Sequence, residues 1–181
     1  LGLDVEVVGK VEVGGRAVSS TAIREAVELG DLRSAEGMLG RPVSVLGTVV
    51  EGDRLGRQLG FPTANLDLHH ELHPPTGVYA GWARVLPPGP RGQAGNGPAT
   101  PAVTNIGVRP TVDGRAPEDP RLEVHLLDFS GDLYGRDLEF GFLARLRDEQ
   151  RFESLEALRE QIGRDVAGAR ELLAASPARG T

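Results

Sequence analysis

Gly40-Arg41-Pro42 divides the chain into two kinds of pattern, and the stretch beyond it constrains the fold most. From residue 43 onward apolar side chains recur at every second position, in runs at 43–51, 78–86, 102–106, 121–128 and 137–146. Period two places alternate side chains on opposite faces of a strand, so each run reads as a half-buried β-strand. Glycine and proline clusters separate the runs, with no helical pattern between them. Parallel strands need helical crossovers, so the sequence predicts a mainly β fold, an antiparallel barrel or sandwich. Closure into a barrel would also hide the strand edges.

Helices are legible only at the two ends. Ser19-Ser20-Thr21 offers side-chain oxygens to cap a first helix, which ends at Gly30, and Asp31 caps a second that runs to Leu39. Proline at 42 stops it, and a domain boundary is placed there, with 1–40 separate from 41–181. At the other end Leu155, Leu158, Ile162, Val166, Ala169 and Leu173 recur at steps of three and four. They form one apolar stripe on a helix capped by Ser154, expected to pack on the β-structure. The segment 87–101 is too rich in proline and glycine to pack and reads as a surface connection.

Composition removes several classes of chemistry. Among the 181 residues there is no cysteine and one lysine, Lys10. Thiol nucleophiles, thiolate zinc sites and a GxxxxGK[ST] phosphate loop are therefore excluded. A net charge of −6 argues against an extended nucleic-acid surface. No run approaches the roughly 20 apolar residues that span a bilayer. A cytoplasmic protein without membrane or nucleic-acid partners is expected, and Leu1 in place of methionine suggests a piece of a longer polypeptide.

The polar chemistry concentrates in one stretch. Gly52, Gly56 and Gly60 recur every fourth residue, a spacing that lets a loop turn backbone N–H groups toward an anion, and Arg54 and Arg57 add charge suited to phosphate. On composition alone an ordinary hairpin loop fits equally. Thr63 and Asn65 stand two apart after Pro62, so they project from one face and offer hard oxygen ligands of the kind magnesium accepts. A self-satisfied polar turn is the competing reading. Glu123 and His125 alternate on a strand, which by itself suggests a solvated outer face. His69, His70 and His73 form a proline-bounded HHxxH group, read as loop rather than metal site, and Trp82 reads as a wall residue of the β-structure.

The run Gly56-Arg57-x-Leu59-Gly60-Phe61-Pro62-Thr63-Ala64-Asn65 resembles the signature of riboflavin kinases. The resemblance continues through Gly77-Val78-Tyr79-Ala80, Asn105-Ile106-Gly107-x-Arg109-Pro110-Thr111, Leu122-Glu123-Val124-His125, Asp132-Leu133-Tyr134-Gly135 and Phe152-x-Ser154-Leu155. It covers essentially all of 41–175. The preceding Val18-Ser19-Ser20-Thr21-Ala22-Ile23-Arg24 is similar to the segment closing the adenylyltransferase half of bacterial bifunctional riboflavin kinase/FAD synthetases. No HxGH-type nucleotide motif occurs, so FMN adenylylation is expected only from a parent protein that contains that absent N-terminal half.

The resemblance implies a six-stranded antiparallel Greek-key barrel with a C-terminal helix and a short helical N-terminal segment. It implies Mg2+-dependent phosphoryl transfer from ATP to riboflavin, giving FMN and ADP, with those small molecules as partners. Thr63 and Asn65 would bind magnesium, and the loop holding Gly52, Arg54, Gly56, Arg57 and Gly60 would lie against the ATP phosphates. Glu123 would be the general base. Asn105 and Arg109 would stand near nucleotide or flavin, Tyr134 on the nucleotide side and Arg147 on the flavin side. A non-catalytic flavin-binding barrel is the alternative.

Overall fold

The computed structural model describes residues 6, 9–68, 71–87, 98–107 and 121–176. Arg109, His69, His70 and most of the 87–101 connection lie outside these. A small hairpin comes first, β1 (Glu12–Val13) and β2 (Arg16–Ala17), turning through Gly14 and Gly15, both at positive φ. Two consecutive positive φ values are what a tight two-residue hairpin demands, and glycine supplies them without strain. This hairpin is absent from the sequence-based expectation.

Helices α1 (Ser20–Glu28) and α2 (Leu32–Leu39) form where their caps place them. Ser19 accepts from the Ala22 N–H at 3.1 Å, and Asp31 accepts from the Ser34 N–H at 3.0 Å. Gly40, at φ 71, closes α2 in the left-handed conformation.

Six strands then close a barrel: β3 (Ser44–Val50), β4 (Ala64–Asp67), β5 (Gly77–Val85), β6 (Thr100–Gly107), β7 (Arg121–Leu126) and β8 (Asp137–Arg147). Helix α3 (Leu55–Gln58) interrupts the β3–β4 connection. Around the barrel the order is β3-β4-β7-β6-β5-β8, every pairing antiparallel. Strands β5, β6 and β7 run as a meander and β8 returns beside β5, which is a Greek key. Thus the fold implied by the resemblance is the fold observed.

Two strand expectations are corrected. Ala64–Asp67 is a strand that alternation does not reveal, since four residues with two polar outward positions carry little periodic signal. Strand β7 stops at Leu126, not 128, because Asp128 takes φ 57 and ends the ladder.

Inward side chains fill the barrel, with Tyr79, Ile106, Leu122, Leu138 and Phe140 fully buried. Each such large apolar side chain contributes roughly 1.5–3 kcal/mol by leaving water. Helix α4 (Leu155–Ala175) covers the outer face of β5, β6 and β8. Its Val166, Ala169 and Leu173 pack with Val78, Ala80, Val103 and Trp82. The first turn behaves differently from the predicted stripe: Leu155 is 53% exposed. Among the described residues no helix is long and apolar enough to cross a membrane.

Candidate functional site

Strand register builds one polar row across the barrel wall. Asn65 on β4 stands opposite Glu123 on β7, Glu123 opposite Asn105 on β6, Asn105 opposite Val78 on β5, and Val78 opposite Arg147 on β8. Residues directly opposite each other share a face. The adjacent row, Ala64, Val124, Thr104 and Tyr79, is buried and points inward, so the polar row points outward. That outer face is not left to solvent as alternation suggests. Helix α4 and the α3 loop overhang it, leaving a cleft of about 310 Å³ whose lining includes Glu123, Asn105, Thr63, Leu158 and Ile162.

The fourfold glycine spacing has a steric cause. A Cβ on Gly52 would stand 2.1 Å from the Asn65 amide nitrogen, and one on Gly56 would stand 2.4 Å from the Phe61 carbonyl oxygen and 3.1 Å from Thr63 Oγ1. Both glycines therefore let the loop lie directly on the Thr63/Asn65 pair. Gly60 instead supplies a turn at φ 90. The N–H groups of Leu59, Gly60 and Phe61 donate to Leu55, Arg57 and Gly56 carbonyls, so they close the loop on itself rather than converging on an anion.

Cationic charge lies on the other side of α3. Arg54 and Arg57 border a second cleft of about 600 Å³, together with Tyr134, Phe129 and Thr63. Arg54 also pairs with Glu51 at 3.2 Å. Tyr134 is 49% exposed there, which leaves its ring available to a ligand. Thr63 borders both clefts. The wall between them is thus one hydroxyl-bearing residue and its short loop.

Other side chains fix this geometry. His125 donates from Nδ1 to the Pro62 carbonyl at 2.8 Å, and its ring meets Phe61 edge-on, tying β7 to the loop that carries Thr63. Arg147 lines the first cleft, but its guanidinium is held by Asp165, at 2.9 Å from Nη2 to Oδ2. Sequence reasoning missed Asp165, although it sits three residues after Ile162 and four before Ala169, inside the apolar stripe. An acid on a buried helix face was the available clue. His73, from the HHxxH group, spends Nδ1 on the Pro74 carbonyl at 2.7 Å, and among the described residues no cluster of three His, Asp or Glu is placed to hold a metal.

A family model for riboflavin kinase (Flavokinase) matches residues 39–173. The chain belongs to the riboflavin kinase family. It is 49% identical over 177 residues to a bifunctional riboflavin kinase/FMN adenylyltransferase of Pseudomonas fluorescens, covering 97% of this chain and 52% of that relative. A protein of the same name from Escherichia coli K12 is 47% identical over 158 residues, covering 87% of this chain and 47% of the relative. The chain therefore spans about half the length of the curated relatives it matches.

Among solved structures, riboflavin kinase from Trypanosoma brucei superposes with a TM-score of 0.53 at 28% identity, covering 74% of this chain and 80% of that one. A Streptococcus pneumoniae chain described as a macrolide-efflux protein superposes with a TM-score of 0.75 at 33% identity, covering 90% of this chain and half of that one. Efflux is said of that protein alone. The likeness to it lies in the fold.

Proposed function

We propose that this chain is a magnesium-dependent riboflavin kinase module that transfers the γ-phosphoryl group of ATP to the 5′-hydroxyl of riboflavin. The observation that carries the reading is the pair of clefts meeting at Thr63, one bordered by Arg54, Arg57 and Tyr134, the other by Glu123, Asn105 and apolar walls. Nucleotide phosphates suit the arginine side, and the flavin ring suits the apolar side. The two reactants then meet over Thr63.

In the reaction the riboflavin hydroxyl oxygen forms a bond to the γ-phosphorus, the bond from that phosphorus to the β,γ-bridging oxygen breaks, and ADP leaves. The hydroxyl proton passes to the Glu123 carboxylate, which the register places in the same outward row as Asn65 and Asn105. A positioned carboxylate contributes by giving that proton a destination as the nucleophile attacks. Arg54 and Arg57 bind and orient the phosphates through their guanidinium forks. Alignment and charge compensation are what phosphoryl transfer asks of a protein.

Thr63 Oγ1 and Asn65 Oδ1 would hold magnesium, and they fit it as neutral, hard oxygen donors that the loop approaches closely at Gly52 and Gly56. When bound, the metal supplies charge neutralisation at the phosphate oxygens. Arg109, outside the described residues, keeps its role from the resemblance alone. Residues 1–40 are proposed as the end of an adenylyltransferase half and 41–181 as the kinase domain, with the reaction placed in the cytoplasm where ATP is available.

Chromatography of riboflavin incubated with the chain, ATP and magnesium, with and without chelator, tests the reading. Magnesium-dependent FMN without FAD is expected. Flavin binding without FMN formation would favour the non-catalytic barrel, and FAD formation would overturn the assignment of adenylylation to the absent half.

A further inference from the structure

Asp165 is a buried charge that the proposed chemistry does not use. It is 7% exposed, and both its oxygens are occupied: Oδ1 accepts from Arg147 Nε at 3.1 Å and Gln161 Nε2 at 2.8 Å, and Oδ2 accepts from Arg147 Nε at 3.0 Å and Nη2 at 2.9 Å. Arg147 also donates from Nη1 to the Asp148 carbonyl at 2.9 Å, and its guanidinium lies 5.7 Å over the Phe152 ring. One guanidinium thus joins the last residue of β8, the adjoining turn and the middle of α4.

The position of this junction along α4 gives it a consequence. C-terminal to it, Val166, Ala169 and Leu173 pack on the barrel, and Arg170 is clipped to Asp128. N-terminal to it, Leu158 and Ile162 border the open cleft and Leu155 is exposed. Asp165 is therefore the last anchor before the helix spans empty space. An apolar contact would hold the helix equally well, since buried ion pairs replaced by well-packed apolar groups often leave stability unchanged or raised. A fork-to-carboxylate pair differs in fixing distance and orientation as well.

We propose that Asp165 is a positioning residue for flavin binding: through Arg147 it sets the separation between the α4 wall, Leu158 and Ile162, and the barrel wall, Val78 and Val103. The inference rests on the reading of this cleft as the flavin side. A planar ring held between two apolar walls is sensitive to their spacing, as reacting groups are to alignment, where misplacement of about 1 Å costs on the order of 100-fold in rate.

The test uses quenching of riboflavin fluorescence to measure Kd, alongside Tm and ADP affinity, in wild type, Asp165→Leu, Arg147→Met and the double variant. Asp165→Leu is expected to weaken riboflavin binding about 10- to 100-fold and to lower Tm, since it leaves the half-buried Arg147 without its carboxylate partner. The double variant is expected to recover Tm while riboflavin binding stays at least about tenfold weak, no weaker than in Arg147→Met, with ADP affinity unchanged. Riboflavin affinity that recovers together with Tm in the double variant makes the pair merely structural and overturns the inference. So does an unchanged Kd in Asp165→Leu. If that single variant fails to fold, the double variant decides by the same criterion. Wild type that binds no riboflavin overturns the flavin reading itself, and the inference with it.

Discussion

Replacing Gly52 by alanine should disable Asn65 without altering it. The new Cβ would stand 2.1 Å from the Asn65 nitrogen, 2.4 Å from Cγ and 2.7 Å from Oδ1, all inside the 3.0 Å that real Cβ contacts respect. Restoring 3.0 Å from 2.1 Å moves the nitrogen by 0.9 Å, and because all three atoms are too close, the amide must swing away as a unit. Asn65 is only 8% exposed, so no small adjustment within its packing suffices. Residue 52 lies beyond the end of β3, and the ladders that place Asn65 opposite Val50 and Glu123 are left standing. The expected stability cost is that of local overpacking, about 1–3 kcal/mol. If Asn65 Oδ1 is a magnesium ligand, its loss should raise the half-saturating magnesium concentration roughly tenfold, corresponding to about 1.4 kcal/mol. The assay is a magnesium titration of FMN formation in Gly52→Ala, Asn65→Ala and the double variant. Residues acting through one contact do not add, so the double variant should match the worse single one. A double variant weakened by the product of the two single effects, or Gly52→Ala with wild-type magnesium dependence, refutes the coupling.

Glu123→Gln should lower turnover by roughly 10²–10⁴-fold with riboflavin Kd unchanged, since the proton loses its acceptor while the cleft keeps its shape; near-wild-type turnover removes Glu123 from the mechanism. Gly56→Ala directs its clash at a backbone atom, the Phe61 carbonyl at 2.4 Å, in a loop already tied by the Phe61 N–H to the Gly56 carbonyl at 2.8 Å. The displaced loop carries Thr63, and kcat should fall at least about tenfold, whereas Gly60→Ala, with open space around it but φ 90, should cost about 1–2 kcal/mol of stability and little kcat. Comparable kcat in the two variants would contradict the steric account. Arg170 donates two 2.7 Å hydrogen bonds to Asp128 and holds its carboxyl below the ordinary aspartate value. The folded protein thus binds this proton more weakly than the unfolded chain, so the clip contributes above the ordinary value and is lost as pH falls through the lowered one. Arg170→Ala should lower Tm at neutral pH, with a difference that shrinks in acid; a difference independent of pH sinks that reading.

The fold was legible where local chemistry decides it. Ser19, Asp31 and Ser154 cap the helices they were expected to cap, because an N-cap is settled by one side chain and the N–H it meets. Five of the six barrel strands can be read from alternation. Strand β4 cannot, since its stability comes from neighbours β3 and β7 rather than from its own four residues. The end of β7 is hidden for a related reason: Asp128 leaves the ladder and pairs with Arg170, 42 positions away, a tertiary partner that no short window contains.

The site was legible as residue types but not as an arrangement. Glycines at 52, 56 and 60 form one set by their spacing, yet two are imposed by close approach to Asn65 and to the Phe61–Thr63 segment and the third by a turn. Glu123 looked like surface on alternation because a strand pattern records which face is outward, not what covers it. The element that closes its cleft, α4, lies more than thirty residues later, and what sets the spacing of that helix from Val78 and Val103 is an acid in its apolar stripe. Asp165 breaks the pattern that predicted the helix, and such exceptions are worth more than matches when a site is sought. A residue that costs burial energy persists where geometry rather than stability is at stake. Here the geometry in question is the width of the cleft that ends at Thr63, the one residue whose place in the lining both clefts share.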